Sequence, residues 1–386
     1  HKIEALAGFS AHKNQRESNE LKGSPYSTDK IPYLSAATTI TSGKSNFAEY
    51  AMLSYIGRLN YSFKGKYLLS GAMRRDGCSR FGVNQRWGSF PSVSAGWVLS
   101  EESFMKNIKP VDMLKLRASY GVTGNFNIGN YTHIATISNY NYIFGDALTP
   151  GATIGGMSNS ELAWERTKQF NIGFDLSLFS NRLYLTYDYY DKTTDNMIQA
   201  RPLPRASGFT SVTDNVGALD FWGHEISVGY RNKFGDLNWN SNFNISFDRN
   251  RIKKLVDPGF FDRNSSAASS YWRNQEGHSL GEFFGYIFEG LYKDEEDLNN
   301  SARPALNNVV SDVGTIKMRD VSGPDGVPDG KIDTHDRTFI GNPNPKFLFG
   351  FTNDFTYRNF DLSISMSGSY GGKICDGLIQ YLGNLD

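Results

Sequence analysis

Cysteine is scarce in this 386-residue chain: Cys78 and Cys375 are the two, enough for one disulfide at most, and they carry neither metal-ligand nor redox spacing. Net charge is missing as well. Lys plus Arg and Asp plus Glu both total 40, so no bulk field draws the chain to nucleic acid or an anionic surface, which argues against a DNA-binding protein. The six histidines are scattered with no HExxH or related pair, and a histidine zinc site lacks support. Neither a P-loop nor a nucleophile elbow is present, so no residues are offered for ATP hydrolysis or acyl transfer. No apolar run approaches the roughly 18 residues of a membrane-spanning helix, and mean hydropathy is −0.46. A helical transporter is excluded, but a β-barrel is not, because its strands are only half apolar. The start, His1-Lys2-Ile3-Glu4, has no Met and no signal-peptide pattern, and the chain reads as a piece of something longer.

What is abundant points to β-structure. Aromatics make up 14% of the chain and glycine 39 residues, an aromatic-rich and turn-rich balance. Period-two alternation is the main signal. Phe170, Ile172, Phe174, Leu176 and Leu178 oppose Asn171, Gly173, Asp175 and Ser177; Leu237, Trp239, Phe243, Ile245 and Phe247 oppose Asn238, Asn240, Asn242, Asn244 and Ser246. Leu183, Leu185, Tyr187 and Tyr189 face away from Thr186 and Asp188, and Leu362, Ile364 and Met366 from Asp361, Ser363, Ser365 and Ser367. Such segments run about ten residues, the length of a tilted membrane-spanning strand.

Connections alternate between very short and very long. The short ones are Phe63-Lys64-Gly65-Lys66, Phe179-Ser180-Asn181-Arg182, Phe234-Gly235-Asp236 and Tyr357-Arg358-Asn359. Long ones run near 12–47, 75–86, 122–165, 193–221 and 248–346. This meander predicts an all-β fold, a transmembrane antiparallel β-barrel with short periplasmic turns and long extracellular loops. About eleven strands are expected, near 3–11, 48–63, 66–75, 87–99, 113–121, 166–179, 182–192, 222–232, 237–247, 347–357 and 360–370. Phe63, Phe179, Phe234 and Tyr357 would form an interfacial girdle. The outward strand ending at Phe247 and the inward one ending at Tyr357 put residues 248–346 outside the membrane, with Glu282 to Leu291 as a lid or hairpin. A helical turn is expected around Glu101 to Met105. An odd count of strands leaves the barrel partial. A soluble all-β fold is the alternative, and it would have to turn one continuous apolar band into a sandwich core.

In order along the chain stand Arg58-Leu59-Asn60-Tyr61, Gly65-Lys66-Tyr67-Leu68-Leu69, Arg75-Asp76-Gly77-Cys78-Ser79-Arg80-Phe81-Gly82 and Phe90-Pro91-Ser92-Val93-Ser94-Ala95-Gly96-Trp97. Leu114-Lys115-Leu116-Arg117-Ala118-Ser119-Tyr120-Gly121-Val122-Thr123-Gly124-Asn125 follows, then Asp329-Gly330-Lys331-Ile332-Asp333, Asp336-Arg337 and Ile340-Gly341-Asn342-Pro343-Asn344-Pro345. With these segments the chain resembles the SusC/RagA-like TonB-dependent transporters of the Bacteroidota outer membrane. That resemblance implies a roughly 22-stranded barrel, of which residues 1–386 cover the middle and later part, with the plug domain and final strands absent. It also implies import of an oligosaccharide or peptide, a SusD-like lipoprotein over the mouth, TonB acting through the missing plug, a multi-pass place in the outer-membrane lipid of a Gram-negative cell, and a two-barrel, two-lid complex.

Two constellations carry candidate chemistry. Counting Asp325 as position 1 puts carboxylates Asp325, Asp329, Asp333 and Asp336 at 1, 5, 9 and 12, Gly330 at 6 and the Lys331 carbonyl at 7, the pattern of an EF-hand-type loop and of a structural calcium. Val327 at position 3 and the short Asp336 depart from it, and Asp320 could compensate. The alternative is an Asp/Gly turn ordered without metal. The second constellation is aromatic: Tyr140, Tyr142 and Phe144 in one loop, and Phe260, Phe261, Tyr271 and Trp272 with Arg273 in another. Rings of this kind stack on sugars or pack against a partner, and Arg273 could bind hydroxyls or carboxylates. Asn171, Asp175, Asp188, Asn240, Asn242 and Asn244 would line the lumen or meet the plug. Cys78 and Cys375 either pair or are unrelated thiols. No catalytic residues and no cofactor are expected. Competing readings are a siderophore or cobalamin receptor and a non-transporting adhesin or hydrolase, for which His133, His224, His278 and His335 offer no catalytic set.

Overall fold

Alternating apolar and polar residues bounded by tight turns can bury one face only as an antiparallel ladder, because each residue shift flips every side chain to the other side. The computed structural model describes the chain except residues 29, 32, 257–258, 266–267, 306–310 and 377–386, and only the backbone of 260–265 and 268–271. It contains eleven strands in one sheet: β1 Lys2–Gly23, β2 Ile40–Phe63, β3 Tyr67–Cys78, β4 Trp87–Val98, β5 Val111–Asn125, β6 Glu165–Leu178, β7 Leu183–Pro202, β8 Ser211–Phe234, β9 Leu237–Lys254, β10 Phe347–Tyr357 and β11 Phe360–Tyr370. Neighbours in the sheet follow chain order from β1 to β11, an uninterrupted meander. Tight connections set the registers, with Phe63 opposite Tyr67, Phe234 opposite Leu237 and Tyr357 opposite Phe360. At the first of these turns Lys64 and Gly65 both have positive φ, 53° and 72°, the left-handed pair that matches a two-strand twist and that glycine adopts without steric cost.

Several strands run well beyond the expected bounds. β1 was expected to stop near residue 11 and continues to Gly23, where Lys13 to Lys22 pair with Ala51 to Ser42. β8 and β9 likewise extend into segments expected to be loop, to Ser211 and to Lys254. Hydrophobic period marks only the stretch that needs an apolar face, whereas the backbone ladder continues wherever a partner strand supplies donors and acceptors. The expected helical turn at Glu101 to Met105 is instead a 3-10 turn at Leu99–Glu101.

The chain divides into two compact units. One comprises His1–Gly96, Ser119–Lys168 and Thr194–Val216. Its core is small and aromatic: Phe81, Phe90 and Trp164 surround Cys78, with Trp164 ring centres 4.8 Å from Phe81 and 5.2 Å from Phe90. The indole N–H of Trp164 donates to the Arg86 carbonyl at 3.0 Å, and the Arg80 guanidinium lies 4.0 Å over the Tyr50 ring. Each large side chain buried this way contributes about 2 kcal/mol.

The other unit comprises Trp97–Ala118, Gln169–Thr193 and Gly217–Asp386. Here Trp239 stacks 6.0 Å from Phe355 and donates to Asn353 at 3.1 Å. After β9 the chain leaves the large sheet. Strands Phe260–Ser265, Ala268–Gln275, Glu282–Gly285 and Thr338–Gly341 make a separate four-stranded sheet, and Phe288–Leu291 pairs with Ile316–Met318. Glu282 to Leu291 is therefore not a hairpin, because its two halves belong to different sheets. Among the described residues between β9 and β10 none joins the eleven-stranded sheet. A short helix, α1 Glu295–Asn300, begins where the Asp294 carboxylate accepts the Asp297 N–H at 2.8 Å, and Tyr292, 1% exposed, donates to the Ala302 carbonyl beneath it.

Candidate functional site

The first aromatic group lies on a hairpin of its own, strands Ile137–Phe144 and Ala147–Ile154. Residues two apart share a face, so Tyr140, Tyr142 and Phe144 form one stripe, and the register sets small partners opposite them: Gly151, Thr149 and Ala147. All three rings are exposed, and Tyr142 and Phe144 centres are 5.2 Å apart. An exposed row of rings with no bulk across from it has the chemistry to pack against an apolar face.

The second group is split. Phe260, Phe261 and Tyr271 have only their backbone described, so those side chains lie outside the described residues. Trp272 sits opposite Phe283, with ring centres 6.5 Å apart. Arg273 lies over the Phe284 ring at 3.6 Å, and Arg337 meets the same ring at 4.9 Å. Beside this stack opens a cavity of about 650 Å³ lined by Phe283, Phe284, Tyr286, Arg337, Ile340 and Lys373. It joins an apolar floor to two cations, a chemistry that suits an anionic or carboxylate-bearing ligand. None of its lining was offered as a ligand site in the sequence, although Arg337, Ile340 and Cys375, which also borders it, were named there for other reasons. The available signal was the run Gly281-Glu-Phe-Phe-Gly-Tyr, which breaks the alternation.

The acidic loop closes on itself. Asp336, fully buried, accepts N–H groups of Val321 and Asp333 at 2.8 Å each and of Ser322 at 3.2 Å. Asp333 accepts the backbone N–H of His335 at 2.7 Å and lies 2.9 Å from its ring nitrogen; the two bonds, backbone first, hold the Asp333 carboxyl below the usual range. Asp329 accepts from Lys331 N–H at 3.0 Å and Asp320 from Gly330 N–H at 2.6 Å, while Gly326 and Gly330 turn the chain with φ of 79° and 81°. Asp325 is exposed. Among the described residues no three His, Cys, Asp or Glu side chains converge on a point that could hold a metal. As placed, these carboxylate oxygens order the loop through backbone N–H groups.

On the polar face of the sheet Arg117 of β5 forks onto Asp188 of β7, Nη1 and Nη2 donating at 3.0 and 2.9 Å, and Nη2 also reaches Asp175 of β6 at 3.0 Å. Two of the residues expected in the lumen are thus held by a cation that sequence reading left out. Both cysteines are free, Cys78 buried in the aromatic core and Cys375 exposed.

A family model described as TonB dependent receptor-like, beta-barrel, matches residues 6–305. The chain belongs to that family. Among curated relatives, TonB-dependent receptor P3 of Formosa agariphila is 34% identical over all of this chain and 38% of its own length. TonB-dependent receptor SusC of Bacteroides thetaiotaomicron is 31% identical over 84% of this chain and 31% of its own length. Among solved structures, the RagAB peptide transporter superposes with a TM-score of 0.78 at 26% identity, covering 96% of this chain and 39% of that one. The chain therefore spans less than two fifths of these relatives. As part of a TonB-dependent receptor barrel, the eleven-stranded sheet is membrane wall: its apolar face meets lipid, and Arg117, Asp175 and Asp188 face the lumen. Among the described residues no helix is long and apolar enough to cross a membrane.

Proposed function

We propose that this chain is the barrel wall of an outer-membrane importer that takes up an oligosaccharide or peptide nutrient with a SusD-like lipoprotein, driven by TonB through a plug domain. The observation that carries this reading is the likeness to both SusC and the RagAB peptide transporter across most of the chain. Tight turns would then face the periplasm, and the loops, residues 248–346 among them, the outside. The exposed stripe Tyr140, Tyr142 and Phe144 and the cavity beside Phe284 supply stacking and anion-binding chemistry on that outer side. The curated relatives are TonB-dependent receptors, which supports a transporter rather than a hydrolase.

The test is to express the full-length gene with its neighbour and purify from the outer membrane. Co-purification with a lipoprotein, and binding of a glycan or peptide lost when TonB coupling is cut, is the expected result. A barrel without plug or partner sinks the importer reading in favour of an adhesin.

For the acidic loop the reading favoured is a turn ordered by its own hydrogen bonds. Adding a chelator should leave the melting of the purified protein unchanged. A calcium-dependent rise would instead assign Asp325, Asp329, Asp333, Asp336 and the Lys331 carbonyl to a structural ion.

A further inference from the structure

The lipid-facing side of the second unit changes character along β9. Phe243, Ile245 and Phe247 are followed on the same side, every second residue, by Arg249, Arg251 and Lys253, with about 7 Å between successive positions. Register places Arg249 opposite Trp222 and Arg251 opposite Asp220 on β8. On β7 the same side carries Tyr187, whose hydroxyl lies 2.9 Å from the His224 ring nitrogen, and then Tyr189 and Asp191. Tyr189, Asp191, Asp220, Trp222, Arg251 and Lys253 line one open depression of about 400 Å³. It lies at the strand ends away from the Phe234-Gly235-Asp236 turn.

The cations there are held in place. Asp220, 15% exposed, accepts from Thr193 at 2.8 Å and from Arg251 Nη2 at 3.2 Å, and Lys253 Nζ stands 3.8 Å from it. Arg251 also lies 5.8 Å over the Trp222 ring. Arg249 spends Nη1 on the carbonyls of Asp248 and Lys346, at 2.7 and 3.0 Å, which fixes its fork against the edge of the patch. Arg251 and Lys253 still leave 55% and 56% of their side chains exposed. A lone cation at a membrane boundary needs only to reach water. Three in a ladder, with one carboxylate gathering two of them over an indole, concentrate positive charge along the outer end of one strand on the surface that meets lipid. Asp191 adds a second carboxylate to the rim, and Arg249 tips the balance to positive. In the first unit a comparable device recurs: Arg75 lies 5.6 Å over Trp87, whose ring stacks 5.9 Å from Tyr55.

We propose that Arg249, Arg251 and Lys253, with Trp222 as floor, bind the phosphate-bearing headgroup of an outer-leaflet glycolipid. Guanidinium forks match phosphate oxygens two at a time, and the indole and phenol rings lie where a sugar ring of the same headgroup would rest. The site rests on the outer-membrane reading above, with tight turns inward.

The experiment uses the full-length protein in nanodiscs of phosphatidylethanolamine doped with either lipid A or its enzymatically dephosphorylated form, followed by detergent extraction and mass spectrometry of retained lipid. Wild type should retain lipid A in preference to the dephosphorylated form. Arg249→Gln/Arg251→Gln/Lys253→Gln should lose retention by about fivefold for each cation removed, and the single Lys253→Gln by about fivefold. A charge-matched control at the opposite turns, Lys64→Gln/Lys66→Gln/Arg358→Gln, should match wild type. Heat-modifiable migration on gels verifies that each variant is a folded barrel, and the single variant keeps the test standing if the triple one does not fold. Equal retention by wild type and either patch variant, or equal retention of both lipids by wild type, overturns the site. A wild-type protein absent from the outer-membrane fraction overturns the membrane reading and the site with it, an outcome visible before any lipid is counted.

Discussion

Two carboxylates outside the membrane wall show how single residues order the loops. Asp336 has no exposure and satisfies three backbone N–H groups, so Asp336→Ala leaves three part-buried donors without that partner, at up to about 1–3 kcal/mol each before the loop relaxes and water reaches them. The expected outcome is rapid hydrogen exchange and proteolysis in residues 320–336 with little change in the eleven strands. Asp297 behaves differently because it is charged and paired. Lys317, 2.7 Å away, with the Lys293 N–H as the next cause, holds the Asp297 carboxyl down to about 2 from an ordinary 3.8. A carboxylate whose folded pKa lies below its unfolded value adds stability that is complete above the unfolded value and is lost as pH falls through the folded one. The segment around α1 should therefore hold its protection above about pH 4 and lose it toward pH 2, as followed by hydrogen exchange of residues 292–304 and 311–318. Lys317→Met should move that loss to higher pH.

At the scale of the strand, alternation makes adjacent positions answer to different solvents. Phe243 belongs to the apolar face and Asn242 to the polar one, on the same strand and at nearly the same depth. Phe243→Arg should destabilise the barrel by about 2–4 kcal/mol, and Asn242→Arg by close to nothing. Urea titration of the full-length protein refolded into lipid vesicles measures both, and equal costs would contradict the assignment of faces. Strand ends follow another rule. The chain from Lys13 to Lys22 has no apolar period, yet it is as regularly paired as the stretch before it, because Ala51 to Ser42 offers the complementary backbone. Period therefore locates the band that meets lipid and underestimates how far each strand extends.

For the whole molecule, the open question is what the outer surface meets. Replacing Tyr140, Tyr142 and Phe144 together by Ala removes an exposed stripe without touching the sheet, so outer-membrane abundance should be unchanged. If the stripe stacks on ligand, affinity for glycan or peptide falls by about 1–3 kcal/mol with the lipoprotein still bound; if it docks the lipoprotein, co-purification is lost first. Sequence alone determined the eleven strands, their order, the four tight turns and, for four of the strands, which face is apolar, because those follow from neighbours one to four residues apart and from the period of two. It also carried the family, through short motifs in a set order. Tertiary structure alone decided what meets across long separations. Arg117 finds Asp175 and Asp188, 58 and 71 residues away, and Asp336 turns back to the N–H groups of Val321 and Ser322. Arg251 finds Asp220 across a strand pair. A spacing rule lists the ligands a loop could present; which oxygens remain for an ion depends on how many backbone donors the folded loop has already turned toward them.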